Sequence, residues 1–168
     1  MHSGLFILRV VIGFLMAAHG SQKLFGWFGG YGIAGTGGFF EGLGFRPGRL
    51  FAALAGAGEF IGGVLVAVGF LGPVGPALML SVMIVAAISV HWENGLFAAS
   101  NGIEVPLLYA AAATTMALTG PGAYSVDALL GLTSVWTPTL AWAAIAIGVL
   151  GGMANLALRR PAAVAVTA

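Results

Sequence analysis

The chain has no cysteine among its 168 residues, which excludes disulfides, thiolate metal sites, iron–sulfur ligation and a dithiol relay of its own. Any electrons it helps to move are carried by another molecule. Charge is nearly as scarce. Asp, Glu, Lys and Arg make up 7% of the sequence and apolar residues 60%, whereas an ordinary soluble domain is about 25% charged. So few charges cannot cover a water-facing surface, so the solvent is lipid. Six basic and five acidic side chains leave a net charge of +1, which supplies neither a field for nucleic acid nor a polybasic lipid-binding tail. The sequence has no Gly-x-Ser-x-Gly elbow and no His-Glu-x-x-His motif. Gly26, Gly29, Gly30 and Gly35 follow no strand and precede no Gly-Lys-Ser or Gly-Lys-Thr, so they do not form a phosphate loop.

What the chain does have is long apolar runs. Five stand out: Leu5 to Leu24, Leu50 to Leu71, Val74 to Trp92, Glu104 to Leu118 and Pro138 to Leu158, the last stopped by Arg159, Arg160 and Pro161. Spans of roughly 20 residues each would use up most of the chain. The runs are continuous and rich in Ala and Leu rather than alternating with period two, which predicts helices and not barrel strands. The expected fold is all-α, a polytopic transmembrane bundle. Its fourth run is short: a helix over it rises only about 22 Å, so a full crossing needs Asn101 to Ile103 or local bilayer thinning. The first run reads as a span rather than a cleaved signal, because Arg9 sits well inside it and it continues past Ala17 and Ala18 into His19, Gly20 and Lys23. Ala52, Gly56, Gly58 and Gly62 recur at helix-contact spacing, which places the second helix at the centre of the bundle. Gly72 to Pro76 forms a tight turn between the second and third spans.

The connection 26–48 interleaves Trp27, Phe28, Tyr31, Phe39 and Phe40 with glycine, a mixture suited to the membrane interface. Thr36 is placed to cap a short helix through Phe39, Phe40 and Glu41, flat on the bilayer or dipping into it as a lid. Asp127 is placed to cap another helix starting near Ala128. With five spans, Lys23, Arg46, Arg49, Arg159 and Arg160 share one side and Arg9 lies towards the other, which puts connection 26–48 and the C-terminus in the cytoplasm.

An ionisable side chain in hydrocarbon costs several kcal/mol unless it faces the bundle interior and finds partners. His19, Glu59, His91 and Glu104 are such residues, and Lys23 follows His19 on the same helical face. In an up-down bundle His19, His91 and Glu104 fall at one depth beneath the aromatic connection, with Glu59 roughly 14 Å into the second helix as the floor of a cavity. Trp27, Phe28, Phe39 and Phe40 are its candidate lid. Gly56, Glu59 and Gly63 share a face, leaving room beside the carboxyl for a helix or a ligand. The competing reading is a polar clamp in which Glu59 and His19 bond across helices while His91 and Glu104 hold a loop. Imidazole and carboxylate suit a metal, but no His-x-x-x-His pair supports one, so His19 and His91 are weak metal candidates. Tyr109, Ser81, Thr114 and Thr115 read as packing hydroxyls.

The segment Ala18-His19-Gly20-Ser21-Gln22-Lys23-Leu24-Phe25-Gly26-Trp27-Phe28-Gly29-Gly30 resembles the first-helix signature of the DoxX family. Gly35 to Phe40 with Leu43-Gly44, Gly58-Glu59-Phe60-Ile61-Gly62-Gly63, His91 to Phe97, Gly102-Ile103-Glu104 and Gly120 to Ser125 follow in the same order. The resemblance covers Leu5 to Leu132. It implies a four-helix membrane domain over residues 1–132, with 133–160 an additional transmembrane helix and 161–168 a short tail. It also implies a multi-pass protein of the bacterial or archaeal inner membrane and a loose redox association, since some family members are similar to a subunit of thiosulfate:quinone oxidoreductase and others are linked to oxidative-stress or detoxification enzymes. His19, Lys23, Glu59, His91 and Glu104 fall on its motif positions. The leading expectation is a redox-system membrane subunit whose cavity takes a quinone-like ligand, with an oxidoreductase partner. A non-enzymatic scaffold for soluble oxidoreductases and a small transporter are the alternatives, and homo-oligomerisation is left open.

Overall fold

The computed structural model describes residues 2–160, so the short tail expected over 161–168 lies outside the described residues. Every regular element among them is helical. The long helices are α1 (His2–Phe25), α3 (Gly48–Val68), α4 (Val74–Ala86), α5 (Glu104–Thr119) and α7 (Pro138–Ala157); α2 (Gly32–Gly42) and α6 (Val126–Leu129) lie in the connections. Beyond Ala86, α4 widens into a π-helical turn over Ala87–His91 and tightens into a 3-10 turn over Trp92–Asn94. Four helices are long and apolar enough to cross a membrane: α1, α3, α4 with its extension to Asn94, and α7. At 16 residues, α5 falls short of that length. Phe14, Ile147 and Leu150 are about two-thirds exposed on the outer faces of α1 and α7, as lipid-facing side chains must be. The protein is a multi-pass membrane protein whose spanning helices contact the lipid bilayer.

Local chemistry sets the ends. Gly69 stops α3 in the left-handed region at φ 69°, where its N–H bonds Val66 O and the Phe70 N–H bonds Leu65 O. Thr137 Oγ1 accepts the Leu140 N–H to start α7, with Pro138 at its first position. Two expected caps are corrected. The Tyr31 carbonyl accepts the Gly35 N–H, so α2 begins four residues before Thr36, which is buried within the helix. At α6, Ser125 Oγ takes the capping N–H of Ala128 because the Asp127 carboxylate is engaged elsewhere, on the α3–α4 turn.

α3 is central and packs against α1, α2 and α4. It uses two glycine faces. Gly58 and Gly62 meet α4 at Val82, Gly75 and Leu78, while Gly56 and Gly63 meet α1. On the α1 side the backbones themselves touch: a methyl group at Gly13 would sit 2.6 Å from Gly63 O and from Ala67 N, and one at Gly63 would sit 2.5 Å from Gly13 O. Helix pairs in lipid gain no hydrophobic driving force, so this close packing is what holds them. α7 uses the same device against α4, with Gly148 against Ala77 and Gly152 against Ser81 and Ile84. Arg159 and the Arg160 N–H then bond Leu43 O and Gly44 O, which ties the end of α7 to the α2–α3 connection.

Gly13→Ala and Gly63→Ala are each expected to destabilise the fold by about 1–3 kcal/mol through overpacking, measured by reversible unfolding in detergent. Gly38→Ala, where a methyl group meets open space, is expected to be neutral or slightly stabilising.

Candidate functional site

Gly20 on α1 lies against the α3 backbone at Gly56 and Phe60, so the side chain one turn on, Lys23, reaches over Gly56 into α3. Its Nζ donates to Glu59 Oε2 at 2.6 Å. Gly56 makes this reach available, since a methyl group there would press on Lys23 Cβ at 3.1 Å. The pair is asymmetric: the Glu59 side chain is 4% exposed and that of Lys23 24%. The carboxylate is therefore matched inside the bundle while the ammonium keeps donors turned outward.

His19 lies within electrostatic reach of Glu59. Its Nδ1–H donates to Gln22 Oε1 at 3.2 Å, and its ring stands edge-on to Tyr109 at 6.2 Å. Tyr109 is buried in the apolar core with Met16 and Met116. Its place in the core agrees with reading Tyr109 as a packing residue; what that reading left out is the edge-on contact with His19, which no spacing along α5 announces.

Outside Lys23 lies a cavity of about 570 Å³ lined by Gln22, Lys23, Tyr31, Thr36, Phe39 and Phe40 together with glycines 29, 30 and 35. Of the candidate lid, Phe39 and Phe40 form its wall. Trp27 instead stacks on Phe25 at 4.8 Å, and the Phe28 carbonyl accepts Gln22 Nε2 at 3.1 Å.

His91 and Glu104 hold a loop. His91 Nδ1–H donates to Asn101 O at 2.7 Å, and Glu104 Oε2 accepts the Ala98 N–H at 2.7 Å. No hydrogen bond or ion pair among the described residues joins either of them to Glu59. Nor do three His, Asp or Glu side chains among those residues form a group able to hold a metal.

A family model described as DoxX matches residues 4–92, just over half of the chain. The chain belongs to the DoxX family. The DoxX match runs from α1 through α4, so His19, Lys23, Glu59 and His91 lie inside it, and Glu104 and Tyr109 outside. Comparison with curated proteins and with solved structures gave no significant match.

Buried charge in this DoxX chain is not confined to one side, which corrects the expected one-sided polarity. At the opposite end of α1, Arg9 is 2% exposed and donates to Val66 O and Tyr124 O. Asp127, fully buried and electrostatically coupled to Arg9, accepts the Leu71 and Gly72 N–H groups at 3.0 and 2.7 Å. These two residues lock the α3–α4 turn, where Leu71 and Gly72 both have positive φ. Sequence position alone suggested a topological marker and a cap. The cross-chain partners, Tyr124 for Arg9 and Leu71 for Asp127, have no local signal.

Lys23→Met strands the Glu59 carboxylate and is expected to cost about 3–5 kcal/mol. Lys23→Met with Glu59→Leu is expected to regain most of it. A double-mutant cycle in detergent unfolding measures the coupling, and strictly additive losses would show that the pair is not an energetic unit.

Proposed function

We propose that the chain is a membrane subunit of a redox-linked system, seated in the bacterial or archaeal inner membrane, that holds the head of a quinone-like amphiphile beside Lys23. The carrying observation is the position of Lys23, anchored on buried Glu59 and lining an aromatic-walled cavity large enough for a ring and the start of its tail. An ammonium has three N–H donors, and among the described residues Glu59 is the one partner for them, so others can reach a quinone carbonyl. Reduction of that quinone to quinol takes two electrons and two protons. The electrons come from an oxidoreductase partner, as the chain has no cysteine. Lys23, which lines the cavity, and His19, one turn back on α1, are the proton-handling groups, with Glu59 holding the positive charge in place. The redox association itself rests on the family.

In this reading α5 also crosses, as the fourth of five spans. Its start follows the loop that closes on Glu104, and its last turn, Ala117 to Thr119, lines a cavity with His2 and Pro138 at the other end. Local thinning or tilt of the bilayer compensates its length. Residues 1–132 then form the four-helix core and α7 the addition, with connection 26–48 and the C-terminus cytoplasmic. A second reading is favoured by exposed aromatics: Phe28, Trp92 and Phe97 are each about two-thirds exposed, and they would serve a scaffold recruiting a soluble oxidoreductase.

Decylubiquinone binding to the protein in nanodiscs separates the two. Its Kd is expected to rise about tenfold in Lys23→Gln, the scale of one lost charge-assisted hydrogen bond, and to stay unchanged in the lipid-facing Trp142→Phe. Absence of wild-type binding, with loss of partner co-purification in Trp92→Ser and Phe97→Ser, would favour the scaffold.

A further inference from the structure

The fold gathers arginine at one corner of the bundle. Arg46 and Arg49 stand at the start of α3, and Arg159 and Arg160 follow the end of α7, far away in the sequence. Two bonds bring them together: Arg159 Nε–H donates to Leu43 O at 2.6 Å and the Arg160 N–H to Gly44 O at 2.8 Å, on the stretch that leads into Arg46. Arg46, Arg49 and Arg160 are exposed, and no hydrogen bond or ion pair among the described residues engages their side chains. Of the Arg159 guanidinium, Nε alone is bonded. The one carboxylate of connection 26–48, Glu41, is turned to the start of α3, where its Oε1 accepts the Gly48 N–H at 3.1 Å, and it pairs with none of the four. Like charges gathered without a counter-charge repel one another, and a bound anion relieves that repulsion.

A groove leads away from this corner. Phe51 and Ala55 of α3, Ser81 and Val85 of α4 and Asn155 of α7 line a mostly apolar cavity of about 200 Å³. Its wall continues in Leu54, which is half exposed as a lipid-facing residue is. Phe51 is two positions from Arg49, and Asn155 is about one helical turn from Arg159, so the groove ends next to the arginines. Guanidinium groups at the bundle end and a hydrocarbon-lined groove running inward from them follow the order of a phospholipid, phosphate first and acyl chain after.

We infer that this corner binds an anionic phospholipid, its phosphate on the arginines and one acyl chain in the groove between α3, α4 and α7. Guanidinium takes phosphate oxygens in bidentate pairs. Four such groups exceed what one phosphate needs, so diphosphatidylglycerol, with two phosphates, is preferred over phosphatidylglycerol. Phosphatidylcholine, whose phosphate carries its own cation, comes last. The site is separate from Lys23, whose ammonium is paired with Glu59. No run of basic residues announces it: the net charge is +1 over the whole chain, and only the fold brings the two arginine pairs to one corner.

Native mass spectrometry of the purified full chain tests this by titration with tetraoleoyl diphosphatidylglycerol, dioleoyl phosphatidylglycerol and dioleoyl phosphatidylcholine. Diphosphatidylglycerol is expected to bind about tenfold more tightly than phosphatidylcholine, and Arg46→Gln with Arg160→Gln to remove that advantage, the scale of two arginines at a membrane surface. Arg46→Lys with Arg160→Lys keeps the charge and is expected to keep most of the preference. Ala55→Leu fills the groove without touching the arginines, and is expected to weaken all three lipids severalfold while leaving their order intact. Equal binding of the three lipids, or an unchanged preference in the double glutamine variant, would overturn the assignment. So would glycerol phosphate binding as tightly as the lipids, since the corner would then be an anion site that needs no acyl chain.

Discussion

The contact on which the structure depends is the backbone-to-backbone approach of α1 and α3. Gly13 faces Gly63 and Ala67, and Gly20 faces Gly56 and Phe60, so the seven-residue spacing on one helix answers the seven-residue spacing on the other in antiparallel register. A seven-residue repeat keeps such a seam on one face of the helix pair over several turns. Both buried ionic centres sit at the ends of this seam. Lys23 reaches Glu59 just beyond Gly20, and Arg9 reaches Val66 O just before Gly13. A one-residue slip would separate both sets of partners at once, so the glycines fix the register and the charges penalise any other.

Sequence alone carried the architecture well, because scarcity of charge and the length of apolar runs act on whole helices. The limits read for α1, α3, α7 and for α4 with its extension to Asn94 fall within a few residues of the observed ones, and the central position of α3 followed from its small residues. What did not follow was anything set by register between distant segments. Lys23 and Glu59 could both be named, but their pairing depends on how deeply α1 settles against α3, which is a property of the glycine seam. Asp127 illustrates the same limit: adjacent polar residues compete for one cap, and the turn at Leu71 and Gly72 decides the competition. The π-helical turn at Ala87–His91 contains neither glycine nor proline to announce it.

Of the residues grouped as one site, the structure separates two duties. His91 and Glu104 bond loop backbone and fix the segment between α4 and α5, as the clamp reading anticipated for them. His19, Lys23 and Glu59 cluster with Tyr109 across three helices. Depth in the membrane made all of these neighbours in a sequence-level picture, but depth is one coordinate of three. α4 and α5 present His91 and Glu104 to their own connection.

The two ionic centres look alike by burial and charge, and bonding capacity distinguishes them. Around Asp127 both oxygens are occupied by backbone N–H groups, and the Arg9 guanidinium is spread over carbonyls from α3 and the α5–α6 connection. Such a centre holds backbone in place, and Arg9 Nε, which has no partner among the described residues, is sealed from solvent. Lys23 is different in kind: one buried partner fixes the ammonium while its side chain borders a cavity. A cation held by a carboxylate in low dielectric does not drift when solvent is expelled, yet it retains donors for an incoming oxygen. The same glycine seam therefore yields a rigid staple at one end and, at the other, an ammonium beside a cavity, and it is this second end that the proposed function uses.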